Sequence, residues 1–508
     1  MFGKTLNIVL KNVGIKETGS RKIMTKSIDK NTSPTDVSLV WFRQDLRIED
    51  NPALLAASKL GSILPIFVLD KNDSDRWAIG SASKWWLHES LEALDKRLDG
   101  NLCLASGNAL EILKEVVTES GANYIFWNRC YEPFSMKRDR KIKEELRRMN
   151  KTVESFNGSL LFEPRSSVKE DGTPYKVFTP FFRKGCLDRF PCPKKPSGPI
   201  EKITYCKHRI LSLSDLELKP KQKWYMSIAE NWEPGEDGAH KKLRQFLKDG
   251  IKNYKFGRNF PAGKNVSRLS PHLHFGEISP NRVWHEVLDI DPKDVSLKDS
   301  DHFLSEIGWR EFSYNLLYFN QRLPDENLQK KFDSFPWTNE KEFLTSWEKG
   351  ETGYPIIDSG MRELWKTGYI HNRVRMVVAS FLVKNLMIDW RHGQDWFWDT
   401  LVDADLANNS ASWQWVAGSG ADAAPFFRIF NPVTQGEKFD PEGDYIAMYL
   451  PVLSKLPKKF IHSPWLAPPE VLVEAGISLG SNYPLPIVPL KDSREKALAS
   501  FNALSKDN

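Results

Sequence analysis

Three side chains that could act together on one ligand lie within a short helical pattern. Glu306, Trp309 and Arg310 are spaced i, i+3 and i+4, which places them on one face of a helix. There a carboxylate, an indole and a guanidinium could serve as a proton donor, a stacking wall and an anion clamp. The competing interpretation is a surface pair between Glu306 and Arg310 beside a core tryptophan, and these residues alone favour that interpretation.

A second face of this kind follows His371. Asn372, Arg375 and Met376 are again spaced i, i+3 and i+4. A methionine on a helix usually only fills a gap in the core. A guanidinium on an otherwise apolar helix needs an anionic partner, and we expect Asp403 or Asp405 to supply it.

Tryptophan is concentrated in the same part of the chain. Nine of the 18 tryptophans lie between residues 309 and 415. Such a cluster is normally core, and we interpret Trp347, Trp365, Trp396 and Trp398 in that way. Indoles can also stack on nucleic-acid bases and relay electrons along a series of contacts, so the cluster leaves both interpretations open.

One motif of the chain could bind phosphate, and two familiar phosphate-binding motifs are absent after the first predicted strand. Ser267-Arg268-Leu269-Ser270 precedes a helical pattern, and hydroxyl and N–H groups at a helix start can bind phosphate. No GxGxxG or GxxxxGK[ST] motif follows the first predicted strand, which excludes the usual dinucleotide and P-loop sites. The five cysteines include no CxxC pair, so we predict no disulfide framework and no metal site.

The elements that must position these residues form two patterns. Helical stretches separate five short apolar runs, at Val37–Phe42, Ile63–Leu69, Leu102–Ala105, Asn123–Trp127 and Val153–Phe156. This alternation predicts an α/β domain with a Rossmann-like parallel sheet covered by helices on both faces. From Pro234 to about residue 460 the 3.6-residue period dominates, so the second domain is predicted to be mainly α-helical.

These patterns divide the chain as follows: a disordered tail at 1–36, the α/β domain at 37–165, a Pro- and Lys-rich linker at 166–226, the helical domain at 227–496 and a C-terminal tail at 497–508. Met24 is an alternative start to Met1. The net charge is +6, and no apolar run approaches the roughly 20 residues that cross a bilayer. We therefore expect a cytoplasmic protein without a signal peptide or a membrane partner.

Seven motifs, taken together and in order, resemble those of the cryptochrome/photolyase family. They lie at residues 41–47, 267–270, 306–312, 352–355, 371–373, 413–415 and 427–432. Within the family, the chain resembles the bacterial class I and class III enzymes that split cyclobutane pyrimidine dimers (CPDs). The resemblance implies an α/β antenna domain, a linker and a helical domain that holds FAD and binds DNA.

By motif position, the resemblance implies that FAD is bound by Tyr254, Ser267, Arg268, Leu269, Ser270, Phe303, Arg310, Arg375, Asp403, Asp405 and Asn409. Phe303 replaces a tryptophan that is common in class I, which puts that contact in doubt. Asn409 falls where the family faces flavin N5. Repair enzymes carry Asn there, whereas plant cryptochromes carry Asp.

The resemblance also implies a lesion pocket formed by Glu306, Trp309, Asn372, Met376 and Trp415. DNA would be held by Arg258, Glu306, Asn372, Arg373, Arg428 and Gln435. A flipped pyrimidine dimer suits this mixed polar and aromatic wall, and photolyases are known base-flipping enzymes. Excited FADH⁻ would give an electron to the dimer, while Trp413, Trp390 and Trp337 would carry electrons inward to an oxidised flavin.

An antenna chromophore is expected at Trp85 and Trp86. Adjacent helix positions diverge by about 100°, so both indoles cannot share one core face, and at least one must be partly exposed or covered by something else. Class III relatives place a folate against such tryptophans, whereas class I relatives use a carboxylate at the position of Glu132. We predict 5,10-methenyltetrahydrofolate; the competing interpretation is that the core and the linker cover both rings.

Two other functions compete with repair of UV-damaged DNA. One is a cryptochrome-type photoreceptor, and the other is a non-catalytic nucleic-acid binder. Asn409, and the short sequence that follows Pro486, favour repair. We expect the enzyme to act as a monomer.

Overall fold

The computed structural model describes residues 36–71, 75–190, 192–200, 203–208, 210–423, 425–426 and 428–504. Residues 1–35 of the predicted tail, Phe427 of the last motif and residues 505–508 lie outside the described residues. The described chain forms an α/β domain followed by a helical domain, as the apolar patterns predict.

The α/β domain is built on a parallel sheet. Its strands and helices are β1 Val37–Phe42, α1 Pro52–Ala57, β2 Ser62–Asp70, α2 Ser81–Arg97, β3 Cys103–Gly107, α3 Ala109–Ser120, β4 Tyr124–Asn128, α4 Pro133–Arg148 and β5 Thr152–Phe156. The strand order is β3-β2-β1-β4-β5, and all neighbours are parallel. β1 is central and almost fully buried, because helices cover both faces of the sheet.

The chain then forms short elements and a helical domain. These are α5 Phe178–Pro180, β6 Thr204–Tyr205, α6 Met226–Ala229, α7 Glu236–Gln245, α8 Tyr254–Gly257, α9 Ser270–His274, α10 Pro280–Leu288, α11 Leu297–Phe319, α12 Lys341–Lys349, α13 Pro355–Thr367, α14 Asn372–Ser380, α15 Trp390–Thr400, α16 Leu406–Ala417, α17 Pro432–Phe439, α18 Asp444–Tyr449, α19 Lys458–Ile461, α20 Pro469–Ala475 and α21 Leu490–Leu504. π-Helical turns follow α5, α7 and α14, at Phe181–Leu187, Phe246–Gly250 and Phe381–Asn385.

The helices that carry the candidate site begin at side-chain caps. His371 caps α14, because its Nδ1 accepts a hydrogen bond from the Arg373 N–H at 3.1 Å. Asp405 caps α16 by accepting from the Asn408 N–H at 2.9 Å. Each cap satisfies a free N–H group at the helix start and fixes where the helix begins.

The segment between the domains does more than connect them. The π-helical turn that follows α5 packs into the core of the helical domain, where the ring of Phe182 lies against Gly308 of α11 so closely that a Cβ there would clash. β6 pairs with β2 of the sheet. The predicted linker therefore contributes to both cores, and its bounds stay a prediction.

A buried carboxylate joins the two domains. Glu277 accepts hydrogen bonds from Trp86 Nε1 at 3.0 Å, from the Gly235 N–H at 2.7 Å and from Ser90 Oγ. Its other oxygen contacts His272 Nδ1. Because Glu277 is fully buried, these partners replace water around the carboxylate and fix how α2 packs on the helical domain.

Candidate functional site

An ion pair joins α14 to the start of α16. Arg375 Nη2 lies 3.0 and 2.8 Å from the two carboxylate oxygens of Asp403, and Arg375 Nε donates to the Ile370 carbonyl at 2.7 Å. Burial disfavours the charged guanidinium, but the neighbouring Asp403 raises the pKa of Arg375 above its ordinary value. Of the two partners expected for Arg375, the structure selects Asp403.

Asp405 has different partners. Tyr314 Oη donates to its Oδ2 at 2.5 Å, and His274 Nδ1 lies 3.1 Å from the same oxygen. Burial opposes ionisation, but the contacts with His274 and Tyr314 and the charge of Arg310 lower the pKa of Asp405 to about 2. A lasting negative charge therefore lies beside the Arg375–Asp403 pair.

Asn409 lies one turn after Asp405 on α16. Its Nδ2 donates to the Gln394 carbonyl at 3.0 Å, which fixes the amide plane. This contact uses one N–H of the amide, so the second N–H and the oxygen are left for a ligand. The resemblance places this residue at flavin N5, and the structure holds it in one orientation.

The Ser267–Ser270 motif forms a bend before α9. Arg268 has φ of 51°, and its guanidinium lies 4.4 Å from the Trp232 ring and 4.9 Å from the Tyr369 ring. Its Nε is buried without a hydrogen-bond partner among the described residues. Ser267 Oγ accepts from the Leu269 N–H at 3.4 Å, and Ser270 is exposed. The free donor suits an anionic group such as the diphosphate of FAD.

Tyr254 and Phe303 form part of the wall near this bend. Both are buried and meet edge to face, with ring centroids 5.3 Å apart. Burial raises the pKa of the Tyr254 hydroxyl far above its ordinary value. The two rings lie close together, while their contact with FAD stays a prediction.

Glu306 pairs with Arg258 rather than with Arg310. Both terminal nitrogens of Arg258 bind the Glu306 carboxylate, and the Nη2–Oε2 distance is 2.9 Å. Arg310 points into the protein, where its Nη1 donates to the Ser159 carbonyl at 2.8 Å. The expected surface pair between Glu306 and Arg310 is therefore wrong, because the two side chains diverge within one helix turn.

Trp309 completes this face of α11. Its ring stacks on Phe178 of α5, with centroids 3.9 Å apart and planes 11° from parallel. The indole is half-buried, so one part of it meets the core and another meets solvent. The predicted linker thus supports a predicted pocket residue, which no spacing in the sequence reveals.

The first turn of α14 carries the other predicted pocket residues. Asn372 is exposed and Met376 half-buried. Arg373 Nη1 lies 3.8 Å from Met376 Sδ, and Arg373 Nη2 donates to Asn259 Oδ1. Since Asn259 follows Arg258, the two neighbours connect α14 with Glu306 of α11. The structure thereby brings the two predicted faces together.

His371 lies beneath this surface. Burial, and after it the charges of Arg258, Arg373 and Arg375, together lower the pKa of the imidazole to about 3. The ring is therefore neutral at ordinary pH and acts as the cap of α14.

The three tryptophans predicted to carry electrons lie in one cluster. Trp413 and Trp390 are buried there, and Trp337 packs on its edge. Trp413 contacts the rings of Phe397 and Trp347 at 5.1 and 6.2 Å, and its indole lies against Gly393. Trp415, two residues later, is half-buried at the same cluster.

The expectation for the other tryptophans is partly wrong. Trp347 is fully buried, and Trp396 and Trp398 are half-buried. Trp365 is 65% exposed and stacks on Trp396 at 6.2 Å, so it is not core. Trp365 lies on the solvent-facing side of α13. The number of tryptophans in a segment does not show which side of a helix each one occupies.

Trp85 and Trp86 are expected to leave at least one indole partly exposed or covered by another part of the chain, and the structure shows the second outcome. The two rings are 2% and 0% exposed, and they meet edge to face at 6.0 Å. Trp86 packs on Trp232 and Phe275 of the helical domain. The second domain covers the ring that the sheet does not, so neither indole fits a stacked chromophore.

Glu132 offers no open site either. It is buried at the start of α4, where its Oε1 accepts from Gln44 Nε2 at 2.9 Å. Its Oε2 is buried without a hydrogen-bond partner among the described residues. The carboxylate is thus half satisfied by the protein, and its role toward an antenna stays a prediction.

Arg428 and Gln435 lie on the loop and helix that follow α16. The Arg428 side chain is exposed, while its carbonyl accepts from Lys384 Nζ at 3.1 Å. Gln435 is half-buried on α17. Burial lowers the pKa of Lys384 to about 8, so this lysine is an uncommon anchor for a surface loop.

Three residues of the site, Tyr314, His274 and Asn259, are not predicted by any sequence pattern considered above. Tyr314 is placed one turn beyond Arg310 on the same helix, which could have indicated it. His274 and Asn259 contact residues that are distant in the sequence, namely Asp405 and Arg373. Residue spacing therefore could not predict them.

One group of side chains has the composition of a metal site. The ligand atoms of Glu49, Glu236 and His240 lie within 4.8 Å of one another. Arg97 Nε lies 3.1 Å from Glu236, and the Ile48 N–H donates to the same carboxylate at 2.9 Å. The acidic groups are therefore already used within the protein. No helix of the described residues is long and apolar enough to cross a membrane.

Comparison with known proteins agrees with this geometry. The family models described as "DNA photolyase" and "FAD binding domain of DNA photolyase" match residues 38–197 and 303–503. A deoxyribodipyrimidine photo-lyase of Agrobacterium fabrum is 48% identical over 92% of this chain and 98% of its own length. Cryptochrome-1 of Arabidopsis thaliana is 39% identical over 90% of this chain, which spans 69% of that relative.

A solved structure extends the comparison to the fold. A bacterial class III photolyase from Agrobacterium tumefaciens superposes with a TM-score of 0.89 at 46% identity, over 95% of this chain and 100% of its own. The chain belongs to the cryptochrome/photolyase family and has its FAD-binding domain. The predicted family and fold class are confirmed, and the cryptochrome relative is the more distant of the two curated proteins compared here.

Proposed function

We propose that the chain acts as a deoxyribodipyrimidine photolyase, which splits CPDs in UV-damaged DNA under light. The convergence of α11 and α14 on the segment Arg258–Asn259 carries the proposal. It places the Glu306 carboxylate and the exposed turn of Asn372 on one surface next to the Arg375–Asp403 pair. The similarity to the Agrobacterium photolyase over nearly its whole length supports repair over signalling.

FAD, when bound and reduced, would supply to the dimer the electron that light makes available. The chain's own residues would bind FAD and orient the flipped base. The Gln394 carbonyl holds the Asn409 amide, whose second N–H and oxygen would meet FAD, and the Arg375–Asp403 pair would offer two opposite charges to the same cofactor. Phe178 holds Trp309 as a stacking wall for a flipped base.

Glu306 would bind the dimer as an acceptor. A carboxyl group paired with both terminal nitrogens of a guanidinium is ionised and accepts hydrogen bonds. It would therefore bind an N–H group of a pyrimidine ring, while Arg258 holds the carboxylate in place. Arg373, Arg428 and Gln435 would contact the DNA backbone beside it.

The tryptophans would restore the active cofactor. Trp413, Trp390 and Trp337 belong to one cluster that runs from buried to half-buried positions. This gradient suits a relay that takes electrons from a reductant at the surface.

The antenna is a separate proposal. Relatives of class III support 5,10-methenyltetrahydrofolate, but Trp85 and Trp86 are covered by protein. We therefore expect folate, if it binds, to remain bound in variants of these two residues that still fold. Reconstitution with folate and its near-ultraviolet absorption would test this.

The test of the main proposal is light-dependent loss of a CPD from an oligonucleotide. The reduced holoenzyme should restore the two pyrimidines under blue light and leave them unchanged in the dark. Reversible flavin photoreduction without any loss of dimers would instead favour a photoreceptor. Binding of DNA with neither response would leave only the nucleic-acid binder.

A further inference from the structure

One exposed and two half-buried phenylalanines form a contiguous aromatic patch next to the proposed DNA surface. Phe256 is 62% exposed, its ring lies 5.0 Å from Phe260, and Phe260 lies 6.5 Å from Phe439 of α17. We call these three residues the aromatic ledge. A single exposed phenylalanine is ordinary, but a contiguous aromatic group that reaches the surface can mark an interaction site.

The short helix α8 explains why Phe256 points outward. Tyr254 and Arg258, four residues apart, lie on its inner side, where Tyr254 packs on Phe303 and Arg258 binds Glu306. Phe256 lies halfway between them along the helix and therefore faces the opposite side. The segment that positions Glu306 thus presents an aromatic ring to solvent.

Two cations lie at the Phe439 end of the ledge. The guanidinium of Arg373 lies 4.5 Å from the Phe439 ring, and Lys438 Nζ lies 5.2 Å from it. Within the described part of the chain, Arg373 has no carboxylate at ion-pair distance, and its pKa is lowered by burial and by the charge of Arg258. A flat aromatic surface next to unneutralised cations fits a nucleic-acid strand, because bases stack on the rings while phosphates meet the cations.

The ledge is continuous with the proposed lesion pocket. Asn259 lies between Phe256 and Phe260 in the chain and accepts a hydrogen bond from Arg373, which also contacts Met376 Sδ at 3.8 Å. A strand whose dimer enters the pocket would therefore pass the ledge within a few nucleotides.

We propose that the aromatic ledge stacks on a DNA base that loses its partner when the dimer leaves the duplex. The inference rests on the proposed repair function and adds to it a contact outside the lesion pocket. Stacking on the ledge would offset part of the cost of opening the duplex beside the lesion. Phe256, the most exposed ring, would make the main contact.

The experiment compares Phe256→Leu with Phe256→Tyr in the FAD-containing protein. Leucine keeps an apolar side chain of similar size but removes the aromatic face, whereas tyrosine keeps it. Phe256→Leu should bind a duplex containing one CPD about 5- to 150-fold more weakly, the range expected for one stacked base. Phe256→Tyr should bind like the unaltered protein.

Two further readouts locate the contact. The slope of affinity against salt should be the same in Phe256→Leu, because stacking releases no counterions. 2-Aminopurine is placed opposite the dimer in one duplex and beside it in another. In at least one of them its fluorescence should be quenched by the unaltered protein and by Phe256→Tyr but not by Phe256→Leu.

Leu466→Ala is the matched control, because Leu466 is 66% exposed and lies outside the ledge. It should bind and repair as the unaltered protein does. Equal affinity of Phe256→Leu and the unaltered protein, an equal loss in Phe256→Tyr, or a lack of quenching in both duplexes would overturn the inference. Failure of the unaltered protein to remove dimers in light would instead overturn the proposed function.

Discussion

Glu306 illustrates how the charge state of one residue limits what it can do. Its carboxylate is held by both terminal nitrogens of Arg258, and His302 Nε2 lies 3.8 Å away. Burial lowers the pKa of His302, so that imidazole adds no lasting charge at neutral pH. Glu306 is therefore an oriented acceptor at the mouth of the proposed pocket.

We expect Glu306→Ala to lower the yield of repair more than the affinity for DNA. The hydrogen bond from a pyrimidine N–H to the Glu306 carboxylate would hold the dimer in the orientation that electron transfer needs, and such positioning acts on the reaction step. Loss of a hydrogen bond to a charged group should lower the yield of repair by roughly tenfold or more. The quantum yield of repair and the dissociation constant measure the two effects separately.

Glu306→Gln serves as the control, since it keeps the shape and loses the charge. A variant that binds DNA poorly but repairs every bound dimer would show that Glu306 is only a structural partner of Arg258.

At the residue scale, the sequence predicts partners where physical chemistry leaves few choices. A buried guanidinium needs an anion, and Arg375 has Asp403. Helical spacing shows which residues share a face but not what covers that face. Spacing therefore does not show that the second domain covers Trp86, and it does not show that Trp365, predicted to be core, lies in solvent.

At the element scale, α15 and α16 pack closely because Gly393 leaves room for the Trp413 ring. A Cβ at Gly393 would lie 2.1 Å from that indole. The contact fixes the ring plane of Trp413 at the end of the proposed electron relay. A rigid ring helps transfer, because little must reorganise when charge moves.

Trp413→Phe should therefore block photoreduction of oxidised flavin and spare repair by protein that is reduced chemically beforehand. Phenylalanine keeps most of the packing but is much harder to oxidise than an indole. Flavin absorbance during illumination with an external reductant measures the first effect, and dimer loss measures the second. Photoreduction at the unaltered rate would remove Trp413 from the relay.

The loop after α16 depends on a buried anchor. Lys384 is 1% exposed, and its ammonium donates to the Arg428 carbonyl. This contact leaves the Arg428 side chain directed to solvent, where it can meet a phosphate. The position of Arg428 is therefore set by Lys384, a residue of the π-helical turn that follows α14.

Arg428→Ala should weaken binding to DNA of any sequence. It should also reduce, by about one, the slope of the logarithm of the binding constant against the logarithm of the salt concentration. A phosphate contact releases about one counterion, which is why its loss flattens the dependence on salt. Titrations at several salt concentrations measure the slope, and Arg322→Ala, which removes an exposed arginine paired with Glu326 in the turn after α11, is the control. An unaltered slope would contradict a phosphate contact.

The elements themselves differ in how well the sequence predicts them. β1 is observed at the predicted bounds, since a central parallel strand must be a continuous apolar run between turns. The segment from Phe178 to Leu187 lacks any period, yet it packs into the helical core. Its burial depends on Gly308 and Trp309 of a distant helix, and local pattern carries no information about such contacts.

On the scale of the whole molecule, Glu311 joins α11 to the segment that follows β5 of the sheet. Its Oε2 accepts from the Phe162 N–H at 3.1 Å, and its Oε1 lies 3.4 Å from Arg310 Nη1. Burial raises the pKa of Glu311 to about 7, and Arg310 and two backbone N–H groups offset only part of that rise. This carboxyl thus couples the packing of the two domains to pH.

The sign of the coupling follows from linkage. The ordinary pKa of the carboxyl is 4.5, so the folded protein favours the protonated form. Its contribution to the free energy of unfolding is fully present below pH 4.5 and is lost as the pH rises to about 7. The loss amounts to roughly 3 kcal/mol, at about 1.4 kcal/mol for each unit of pKa difference.

Glu311→Gln should therefore remove this part of the pH dependence, because the amide keeps a hydrogen-bonding group and carries no charge. Relative to the unaltered protein, the variant should become more stable as the pH rises from 5 to 8. Urea unfolding of the FAD-containing protein at both pH values measures the difference. Glu342→Gln, at an exposed position of α12, is the control and should follow the unaltered protein. Parallel pH dependences for Glu311→Gln and the unaltered protein would show that the Glu311 carboxyl is ionised throughout, paired with Arg310.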